Sequence, residues 1–279
     1  MADPAEGGGG REARGSAAPV VVNRFDPQTI AILLDVDGTL IEIAPTPQEV
    51  RVPPVLKHTL SRLRDRLSGA LCLISGRPLS DLDRLFDPLR LPCVGGHGAE
   101  NRLDIHGDIV RSATPPLDPI LKRRLIGIAD DTPGIIAEEK AYSVALHYRL
   151  VPESERSVRE RIARICADWP ADEIEILPGK SVFEIKPRGF NKGVAVVELM
   201  QRAPFRERRP IFVGDDVTDE SVFAVLPKFG GLGFSVGREL PGAHGYFATP
   251  REVRHWLYDL MQGRDTLPRP GFARGRGIL

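Results

Sequence analysis

The chain has 279 residues, 42% of them hydrophobic and 27% charged, which is typical of a globular protein with one large or two modest domains. Lysine plus arginine and aspartate plus glutamate both number 38, and this balance argues against nucleic acid or an anionic membrane as the main partner. No apolar run approaches the roughly 18 residues that a membrane span requires, which argues against an integral membrane protein.

Both ends of the chain differ in composition from the rest. Residues 1–25 lack the apolar segment of a signal peptide and, being rich in glycine, alanine and arginine, predict a disordered tail. Residues 263–279 are basic and rich in proline and glycine, and they predict a second tail. Cys72, Cys93 and Cys166 lie in apolar contexts without metal-ligand spacing, so we expect reduced thiols in a cytoplasmic protein. The sequence leaves the oligomeric state open, and a monomer is compatible with it.

The first predicted strand, residues 29–34, ends in two carboxylates, Asp35 and Asp37, followed by Gly38 and Thr39. An apolar strand that runs into acids at a glycine predicts the carboxyl edge of a parallel sheet, where open α/β folds bind their ligands. The spacing of two places both carboxylates on one side of the strand, and Thr39 adds a hydroxyl. A solvated turn or a helix N-cap is the alternative explanation for an isolated Asp-Gly pair.

The next elements repeat this arrangement. A helix that starts at the prolines of residues 53–54 and stops at Gly69 precedes a buried strand, 70–74, which ends in Ser75 and Arg77. Polar side chains at the end of a second strand predict that they share an edge of the sheet with the first acid pair. Taken alone, Ser-Gly-Arg is also an ordinary turn.

A glycine-rich loop carries the following polar residues. A short helix, 79–86, and a short strand, 92–95, lead to His97 and Glu100 among glycines. Such a loop either brings the backbone close to a ligand or forms a tight turn, and a single histidine there is usually structural. Residues 101–112 predict a β-hairpin.

The order of elements changes between residues 113 and 187. The sequence predicts a helix over 118–130, strands over 135–139 and 143–149, a helix over 153–168, and strands over 174–177 and 181–186 joined by a tight turn at Pro178 and Gly179. This αββαββ order differs from an alternating α/β core, and it predicts an inserted antiparallel sheet with two helices on one face. The other face stays free, and we expect it to meet a substrate.

Polar pairs at a spacing of two occur on three of these strands: Glu138 and Lys140, His147 and Arg149, and Glu184 and Lys186. Because alternate residues of a strand share a face, each pair points to one side of the sheet, and Glu139 should point to the other. A solvated outer face explains any one pair. Three pairs of mixed charge fit a polyol better, since carboxylates accept hydrogen bonds from sugar hydroxyls and cations donate to them.

The chain returns to the alternating pattern after residue 187. Lys192 lies where a loop enters an apolar helix, 194–200, and an ammonium group beside a helix start is a natural phosphate site. A solvated lysine is the alternative. A strand over 230–236 and a helix over 250–261 complete the predicted core.

A run of acids follows the buried strand predicted over residues 210–213. It comprises Asp215, Asp216, Asp219 and Glu220. Four carboxylates within six residues cannot lie close together in a low dielectric without a cation. The run therefore predicts a metal site.

These strand ends and helix starts, taken in order, resemble the four motifs of the haloacid dehalogenase-like (HAD) phosphohydrolases. The resemblance implies an α/β fold in which a Rossmann-like core with a parallel sheet, residues 26–112 and 188–262, carries an inserted α+β cap, residues 113–187. Because water must be excluded while the sugar must enter, we expect the cap to close over the site, with hinges near 112–117 and 187–190.

The same resemblance implies roles for individual residues. Asp35 would attack phosphorus and become an aspartyl phosphate, while Asp37 would protonate the leaving oxygen and then activate water. Ser75 would donate a hydrogen bond to the phosphate, and Lys192 would neutralise its charge.

A magnesium site is also implied by the resemblance. Mg²⁺ would be held by side-chain oxygens of Asp35 and Asp215 and by the backbone carbonyl of Asp37, a set of hard oxygen ligands. The residues expected beside these ligands are Thr39, Asp216 and Asp219.

Three further stretches narrow the resemblance. Residues 96–100 (Gly-His-Gly-Ala-Glu), 145–149 (Ala-Leu-His-Tyr-Arg) and 184–187 (Glu-Ile-Lys-Pro) are similar to stretches of bacterial trehalose-6-phosphate phosphatases, within a resemblance that covers roughly residues 27–262. This implies hydrolysis of trehalose 6-phosphate to trehalose and phosphate. The residues then implied in substrate binding are Arg77, His97, Glu100, Glu138, Lys140, His147, Arg149, Glu184 and Lys186.

Other functions remain open at this point. A phosphatase for another sugar phosphate, such as glucosyl-fructose phosphate, or a phosphotransferase such as a phosphomutase would use the same aspartyl phosphate. A non-catalytic sugar-phosphate sensor would bind the ligand without turnover, but it would have no need of the acid Asp37. In each case the expected partner is a small-molecule sugar phosphate rather than nucleic acid or a membrane.

Overall fold

The computed structural model describes residues 25–44 and 49–268. In chain order its strands are β1 (Ile30–Leu34), β2 (Leu71–Ile74), β3 (Cys93–Gly95), β4 (Glu100–Arg102), β5 (Val110–Arg111), β6 (Ile136–Glu139), β7 (Val144–His147), β8 (Ile174–Gly179), β9 (Val182–Pro187), β10 (Arg209–Gly214), β11 (Leu232–Val236) and β12 (Gly245–Phe247). Its α-helices are α1 (Pro54–Arg66), α2 (Leu79–Phe86), α3 (Pro119–Asp130), α4 (Glu155–Cys166), α5 (Lys192–Leu199), α6 (Glu220–Phe223) and α7 (Pro250–Met261).

Eight strands form the larger sheet, in the order β12-β11-β10-β1-β2-β3-β4-β5. The strands from β12 to β3 are parallel, and β4 and β5 extend the sheet as the predicted antiparallel hairpin. The central strand β1 is buried along its whole length, between β10 and β2. Because β1, β2 and β10 end at one edge, Asp35, Ser75 and Asp215 follow them into the same region.

Helix α1 shows how local sequence sets the start of a helix and the face that packs against the large sheet. Helix α1 has a proline in its first turn, where a missing N–H costs no hydrogen bond. Its buried leucines recur every three or four positions and pack into the hydrophobic core on the sheet. Across the described ranges, none of the helices has the length and apolar character needed to cross a membrane.

The smaller sheet has four antiparallel strands in the order β6-β7-β9-β8. Helices α3 and α4 cover one face of it and enclose a second hydrophobic core. That core includes Leu121, Leu125, Ile128, Val144, Leu146, Val158, Ile162, Phe183 and Ile185. The alternate residues of β7 and β9 form a polar face on the other side, whereas Glu139, as predicted, points away from it and lies 3.8 Å from Lys122 of α3. We call residues 119–187 the cap and the rest of the described chain the core unit.

The predicted fold class is confirmed, including the αββαββ order of the cap. The hairpin turn between β8 and β9 was placed wrongly, however. The ladder continues to the pair Gly179–Val182, so the turn consists of Lys180 and Ser181 rather than Pro178 and Gly179. Ser181, the second residue of this turn, has a φ of 62°, in the left-handed region that non-glycine residues rarely adopt.

The segment 263–268 lies against the core unit rather than in a tail, which corrects the expectation from composition. Asp265 forms an ion pair with Arg66 of α1, and its backbone carbonyl accepts a hydrogen bond from the N–H of Phe25 at 3.1 Å. The ion pair of Asp265 with Arg66 thus holds residues 263–268 against the core unit, although their composition is typical of an unstructured segment. The remaining parts of both predicted tails lie outside the described residues.

Candidate active site

A cleft lies between the polar face of the cap sheet and the edge of the large sheet where β1, β2 and β10 end. The predicted site residues that line this cleft are Asp35, Asp37, Ser75, Arg77, His97, Glu138, Lys140, His147, Arg149, Glu184, Lys192, Asp215 and Asp216. Residues from two distant parts of the sequence thus meet in one space. The chemical roles assigned to them stay predictions.

Lys192 binds two buried carboxylates at the core side of the cleft. Its Nζ atom lies 2.7 Å from Asp35 Oδ1 and 2.7 Å from Asp219 Oδ1. Burial alone would lower the pKa of Lys192, but the two carboxylates raise it, so the side chain carries a permanent positive charge. The side chain of Asn191 caps α5 by accepting a hydrogen bond from the backbone N–H of Val194 at 2.9 Å, which fixes the helix start that bears Lys192.

Two ammonium groups, those of Lys192 and Lys180, face a cluster of three carboxylates and do not balance its charge. Carboxylate oxygens of Asp35, Asp215 and Asp219 lie within 4.8 Å of one another, and all three side chains are buried. Burial raises the pKa of Asp35 well above its usual range, and the carboxylates of Asp219 and Asp215 raise it further against the opposing effect of Lys192. Burial likewise raises the pKa of Asp215. The group therefore lacks positive charge, and a bound metal ion would supply it.

The donor atoms fit a hard divalent cation. Carboxylate oxygens of Asp35 and Asp215 are the ligands that such ions prefer, and the backbone carbonyl of Asp37 is the predicted third ligand. Gly38 allows this close approach, because it has a φ of +81° and a Cβ atom there would overlap Asp215 Oδ2. Asp219 instead orients the loop, since its Oδ2 accepts the backbone N–H of Asp215 at 2.8 Å.

The other two residues expected beside the metal ligands differ in position. Thr39 is fully buried, and its Oγ1 donates a hydrogen bond to Asp215 Oδ1 at 3.3 Å. Asp216 lines the cleft, and its Oδ1 accepts the backbone N–H of Val217 at 2.7 Å. Thr39 thus contacts a predicted ligand directly, whereas Asp216 stabilises the loop that follows it.

Arg77 forms a two-pronged ion pair with Asp37. Its Nε atom lies 2.6 Å from Asp37 Oδ2, and its Nη2 atom lies 2.7 Å from Asp37 Oδ1. Such a planar fork holds a carboxylate in one orientation. Ser75, in the same motif, accepts the backbone N–H of Arg77 at 3.1 Å through its Oγ atom, so its hydroxyl proton is available to a ligand.

Glu184 is the centre of the polar face of the cap. Its Oε2 lies 2.8 Å from Lys140 Nζ and 3.1 Å from His97 Nε2, and its Oε1 accepts a hydrogen bond from Ser143 Oγ at 2.6 Å. Burial would raise the pKa of Glu184, but Lys140 and His97 hold it well below its usual range. Lys140 also donates to the backbone carbonyl of Gly76 at 3.3 Å. Because His97 and Gly76 belong to the core unit, Glu184 and Lys140 connect the two units.

His97 reaches Glu184 from an uncommon backbone conformation. Its φ is 57°, in the left-handed region that non-glycine residues rarely adopt. Its ring lies directly against Gly76, where a Cβ atom would overlap Nε2. The imidazole therefore fits in this position only because residue 76 is a glycine.

A second acid–base pair lies on the polar face of the cap. His147 Nε2 lies 2.9 Å from Glu138 Oε2. Burial opposes ionisation of Glu138, but the hydrogen bond from His147 and the charge of Lys140 lower its pKa overall. Within the described part of the chain Glu138 Oε1 makes no hydrogen bond, so this oxygen can accept one from a sugar hydroxyl.

Lys180 was not predicted as a site residue. It lies at the tip of the β8–β9 hairpin, and its Nζ contacts Asp215 Oδ2 in the core unit. Arg149 supports the tip by donating hydrogen bonds to the carbonyl of Lys180 at 2.8 Å and to that of Ala44. A lysine in a turn carries no sequence signal for this contact, because the contact depends on how the cap docks on the core unit. A correctly placed turn would at least have shown that Lys180 forms the tip.

Two residues predicted to bind substrate do not line the cleft. Glu100 is buried, and its Oε2 accepts the backbone N–H of Leu79, at the start of α2, at 3.0 Å. Lys186 is buried where the chain leaves the cap, beyond the end of the cleft. The spacing of two placed Lys186 on the face of Glu184, but strand β9 extends past the space where a ligand fits. Neither position supports direct contact with substrate.

A mainly parallel sheet flanked by helices, with carboxylates at its central strand ends and an α+β cap over them, is the fold of the HAD-superfamily phosphatases. A solved HAD-superfamily phosphatase from Bacteroides thetaiotaomicron has the same fold, with a TM-score of 0.57 and 15% identity, covering 90% of this chain and 98% of that one.

The sequence profile of the family described as Trehalose-phosphatase matches residues 33–240, and the chain belongs to this family. The trehalose-6-phosphate phosphatase of Escherichia coli K12 is 41% identical over 230 residues, which cover 81% of this chain and 85% of that protein. A crystal structure of a trehalose-6-phosphate phosphatase related protein has a TM-score of 0.70 at 27% identity and covers 84% of this chain and 98% of its own. The predictions of this family and of a phosphoric monoester hydrolase are confirmed.

Proposed function

We propose that this protein hydrolyses trehalose 6-phosphate to trehalose and inorganic phosphate, with Mg²⁺ as its metal ion. The main support is the position of two acid–base pairs of the cap, Glu138–His147 and Glu184–Lys140, across the cleft from Asp35. One wall of the cleft suits a phosphate and the other offers hydrogen-bond donors and acceptors for a polyol, which together match a phosphorylated sugar. The relative from Escherichia coli carries this activity in its name.

In the first step, a carboxylate oxygen of Asp35 attacks phosphorus, and the bond between phosphorus and the sugar oxygen breaks. Asp37 acts as the general acid that gives a proton to the departing oxygen, so trehalose leaves as a neutral molecule. Asp35 now carries the phosphoryl group. Lys192, 2.7 Å from Asp35, offsets the charge of that group, and Ser75 donates a hydrogen bond to one of its oxygens.

In the second step, Asp37 takes a proton from a water molecule whose oxygen attacks phosphorus. The bond between phosphorus and Asp35 breaks, which releases phosphate and restores the free carboxylate. Arg77 keeps Asp37 oriented through its fork of 2.6 and 2.7 Å contacts. Mg²⁺, held by Asp35, Asp215 and the carbonyl of Asp37, would supply positive charge that reduces repulsion between the nucleophile and the phosphate.

The cellular setting is part of the proposal. Burial raises the pKa of the Cys93 thiol to about 12, and Cys72 beside it is equally buried, so both are unreactive core thiols. Such thiols suit the reducing cytoplasm, where we place the enzyme. The predicted cap, residues 113–187, would close over the sugar and shield the site from bulk solvent.

Phosphate release from trehalose 6-phosphate, glucose 6-phosphate and sucrose 6-phosphate tests this function. We expect a strong preference for the trehalose ester, a loss of about 10³-fold or more in Asp35→Asn, and a loss on chelation that Mg²⁺ restores. Asp172→Asn, at an exposed position of the cap, is the matched control and should keep full activity.

The other outcomes separate the alternatives. Equal rates on all three esters would leave a phosphatase but reject trehalose 6-phosphate as its particular substrate. Activity that depends on a bisphosphorylated sugar would indicate a phosphotransferase. No release from any ester would reject hydrolysis altogether.

A further inference from the structure

Lys186 is a buried lysine at the point where the chain leaves the cap. It is 1% exposed, and its Nζ lies 2.6 Å from the carbonyl oxygen of Phe190, 3.2 Å from that of Pro187 and 2.8 Å from Glu175 Oε2. The same atom lies 4.6 Å from the centre of the Phe190 ring. Two hydrogen bonds to backbone carbonyls and the ion pair with Glu175 thus hold the ammonium group on the protein itself.

These contacts join the cap sheet to the linker that re-enters the core unit. Glu175 lies on the edge strand β8, directly opposite Lys186 in the ladder with β9. Phe190 lies three residues beyond the end of β9, in the linker itself. A buried ammonium group is strongly penalised if any of its partners moves away, so this set of contacts resists a change in the angle between strand and linker.

The linker connects the two walls of the cleft. Glu184, two residues before Lys186, belongs to the wall that faces the sugar and lies 3.1 Å from His97. Lys192, two residues after Phe190, belongs to the wall that faces the phosphate. Lys186 therefore ties the backbone that carries one wall to the backbone that carries the other.

The linker that enters the cap passes the same place. Gly189 has a φ of +109°, and a Cβ atom there would lie 2.8 Å from Thr114 Oγ1 in that first linker. The ring of Phe190 meets that of Tyr142 edge-on, with centroids 5.7 Å apart. Both connections between the units thus run beside the contacts of Lys186, and a cap that closes must bend at its connections.

We propose that Lys186 is a positioning residue: with Glu175 and the carbonyl of Phe190 it holds the hinge of the closed cap, which keeps the sugar-facing residues in register with Lys192. The proposal rests on the proposed function and replaces a direct contact between Lys186 and substrate. A looser hinge lowers the fraction of closed molecules, and the apparent affinity for a ligand that needs the closed cap falls by the same factor. KM for trehalose 6-phosphate then rises, whereas a phosphate ester too small to reach the cap is unaffected.

Three variants test the proposal. Lys186→Met removes the donors and keeps an unbranched side chain, whereas Glu175→Gln removes only the charge of the partner. Lys228→Met, at an exposed position of the core unit, is the control. For each variant, kcat and KM are measured on trehalose 6-phosphate and on p-nitrophenyl phosphate. In addition, the rate of trypsin cleavage after Arg188, an exposed residue of the linker, is followed by mass spectrometry.

The expected result is a split between the two substrates. KM for trehalose 6-phosphate should rise about tenfold in Lys186→Met and about threefold in Glu175→Gln, with kinetics on p-nitrophenyl phosphate unchanged. Trypsin should cut after Arg188 faster in both variants than in the wild type or in Lys228→Met. Equal losses on both substrates would overturn the proposal, because they would indicate general damage, and so would unchanged KM and cleavage.

A second variant and a measurement that needs no substrate cover the cases in which Lys186→Met does not fold or the proposed function is wrong. If Lys186→Met does not fold, as judged by loss of its thermal transition, Glu175→Gln decides by the same criteria. The trypsin measurement requires no substrate. A wild-type protein that fails to hydrolyse trehalose 6-phosphate would therefore refute the proposed function, while the cleavage rates would still decide the role of Lys186.

Discussion

The core unit and the cap build their walls of the cleft in different ways. In the core unit, Asp35 and Asp215 come together because parallel strands end at one edge of a sheet, and they share too little positive charge. In the cap, the polar groups lie on neighbouring antiparallel strands and pair with one another, as Glu138 and His147 do at 2.9 Å. The core wall thus has an excess of carboxylates that a cation would offset, whereas the acids of the cap wall have partners of their own.

This difference suggests that the core wall carries out phosphoryl transfer and that the cap wall determines which substrate is accepted. In the proposed function, the core wall would face the phosphate, which every candidate substrate shares, and the cap wall would face the part of the substrate that varies. A change in the core wall should therefore affect all phosphate esters equally, and a change in the cap wall should affect only those large enough to reach it. The ratio of activities on trehalose 6-phosphate and p-nitrophenyl phosphate measures this separation.

The largest effect is expected from Lys192→Met. Removing this ammonium group leaves two buried carboxylates, Asp35 and Asp219, without their shared partner. We expect a loss of about 10²–10³-fold in kcat/KM on both substrates and a free energy of unfolding lower by about 3–5 kcal/mol. Steady-state kinetics and denaturant unfolding check this, with Lys228→Met as the control. A loss confined to the trehalose ester would contradict the separation of the two walls.

A smaller and selective effect is expected from Glu138→Gln. The amide keeps the shape of the side chain but loses the charge and one acceptor, so kcat/KM for trehalose 6-phosphate should fall about 10-fold to 100-fold. Activity on p-nitrophenyl phosphate should stay within about twofold, because that ester has no sugar hydroxyl for Glu138 to bind. Glu139→Gln, on the same strand but on the opposite face, is the matched control and should leave both activities unchanged. Parallel losses on both esters would show that the cap wall takes part in the chemistry.

The smallest effect concerns stability and pH. Lys140 and His97 hold the pKa of Glu184 well below its usual range despite burial, so its ionised form stabilises the folded state. Because the folded pKa lies below the unfolded one, this contribution is complete above the unfolded value of about 4.3 and disappears as pH falls through the folded value. Thermal unfolding should therefore show a gap between the wild type and Glu184→Gln at pH 7 that narrows in acid. A gap that stays constant with pH would refute this account, and Glu153→Gln, at an exposed position, should show none.

Local sequence patterns predicted the core wall better than the cap wall. Asp35, Ser75 and Asp215 each follow an apolar strand directly, so the rule that parallel strands bring their ends to one edge was enough to group them. The period of two also placed Glu138 and Glu184 correctly on the polar face of the cap. In both cases the signal lies within a few residues of the side chain concerned.

The positions that local patterns did not anticipate have a common cause, since they depend on contacts between distant segments. Lys180 contacts Asp215 only because the cap docks on the core unit, and no local pattern encodes that docking. Lys186 has the predicted orientation on its strand, but its burial follows from the linker folding back beneath it. Glu100 is used internally because the start of α2 lies beside its carboxylate. Residue type and spacing predict which face of a strand a side chain points to. The partner that the side chain contacts there depends on the tertiary structure.

The contact between Gly76 and His97 also limits how this sequence can change over time. The imidazole occupies the space that any larger residue at position 76 would need, and the two positions lie 21 apart in the chain. A substitution at Gly76 would displace the ring and with it the 3.1 Å contact that crosses to Glu184. Position 76 therefore cannot take a larger residue while the imidazole stays in place. The two residues, although contributed by separate motifs, should therefore be inherited as a pair.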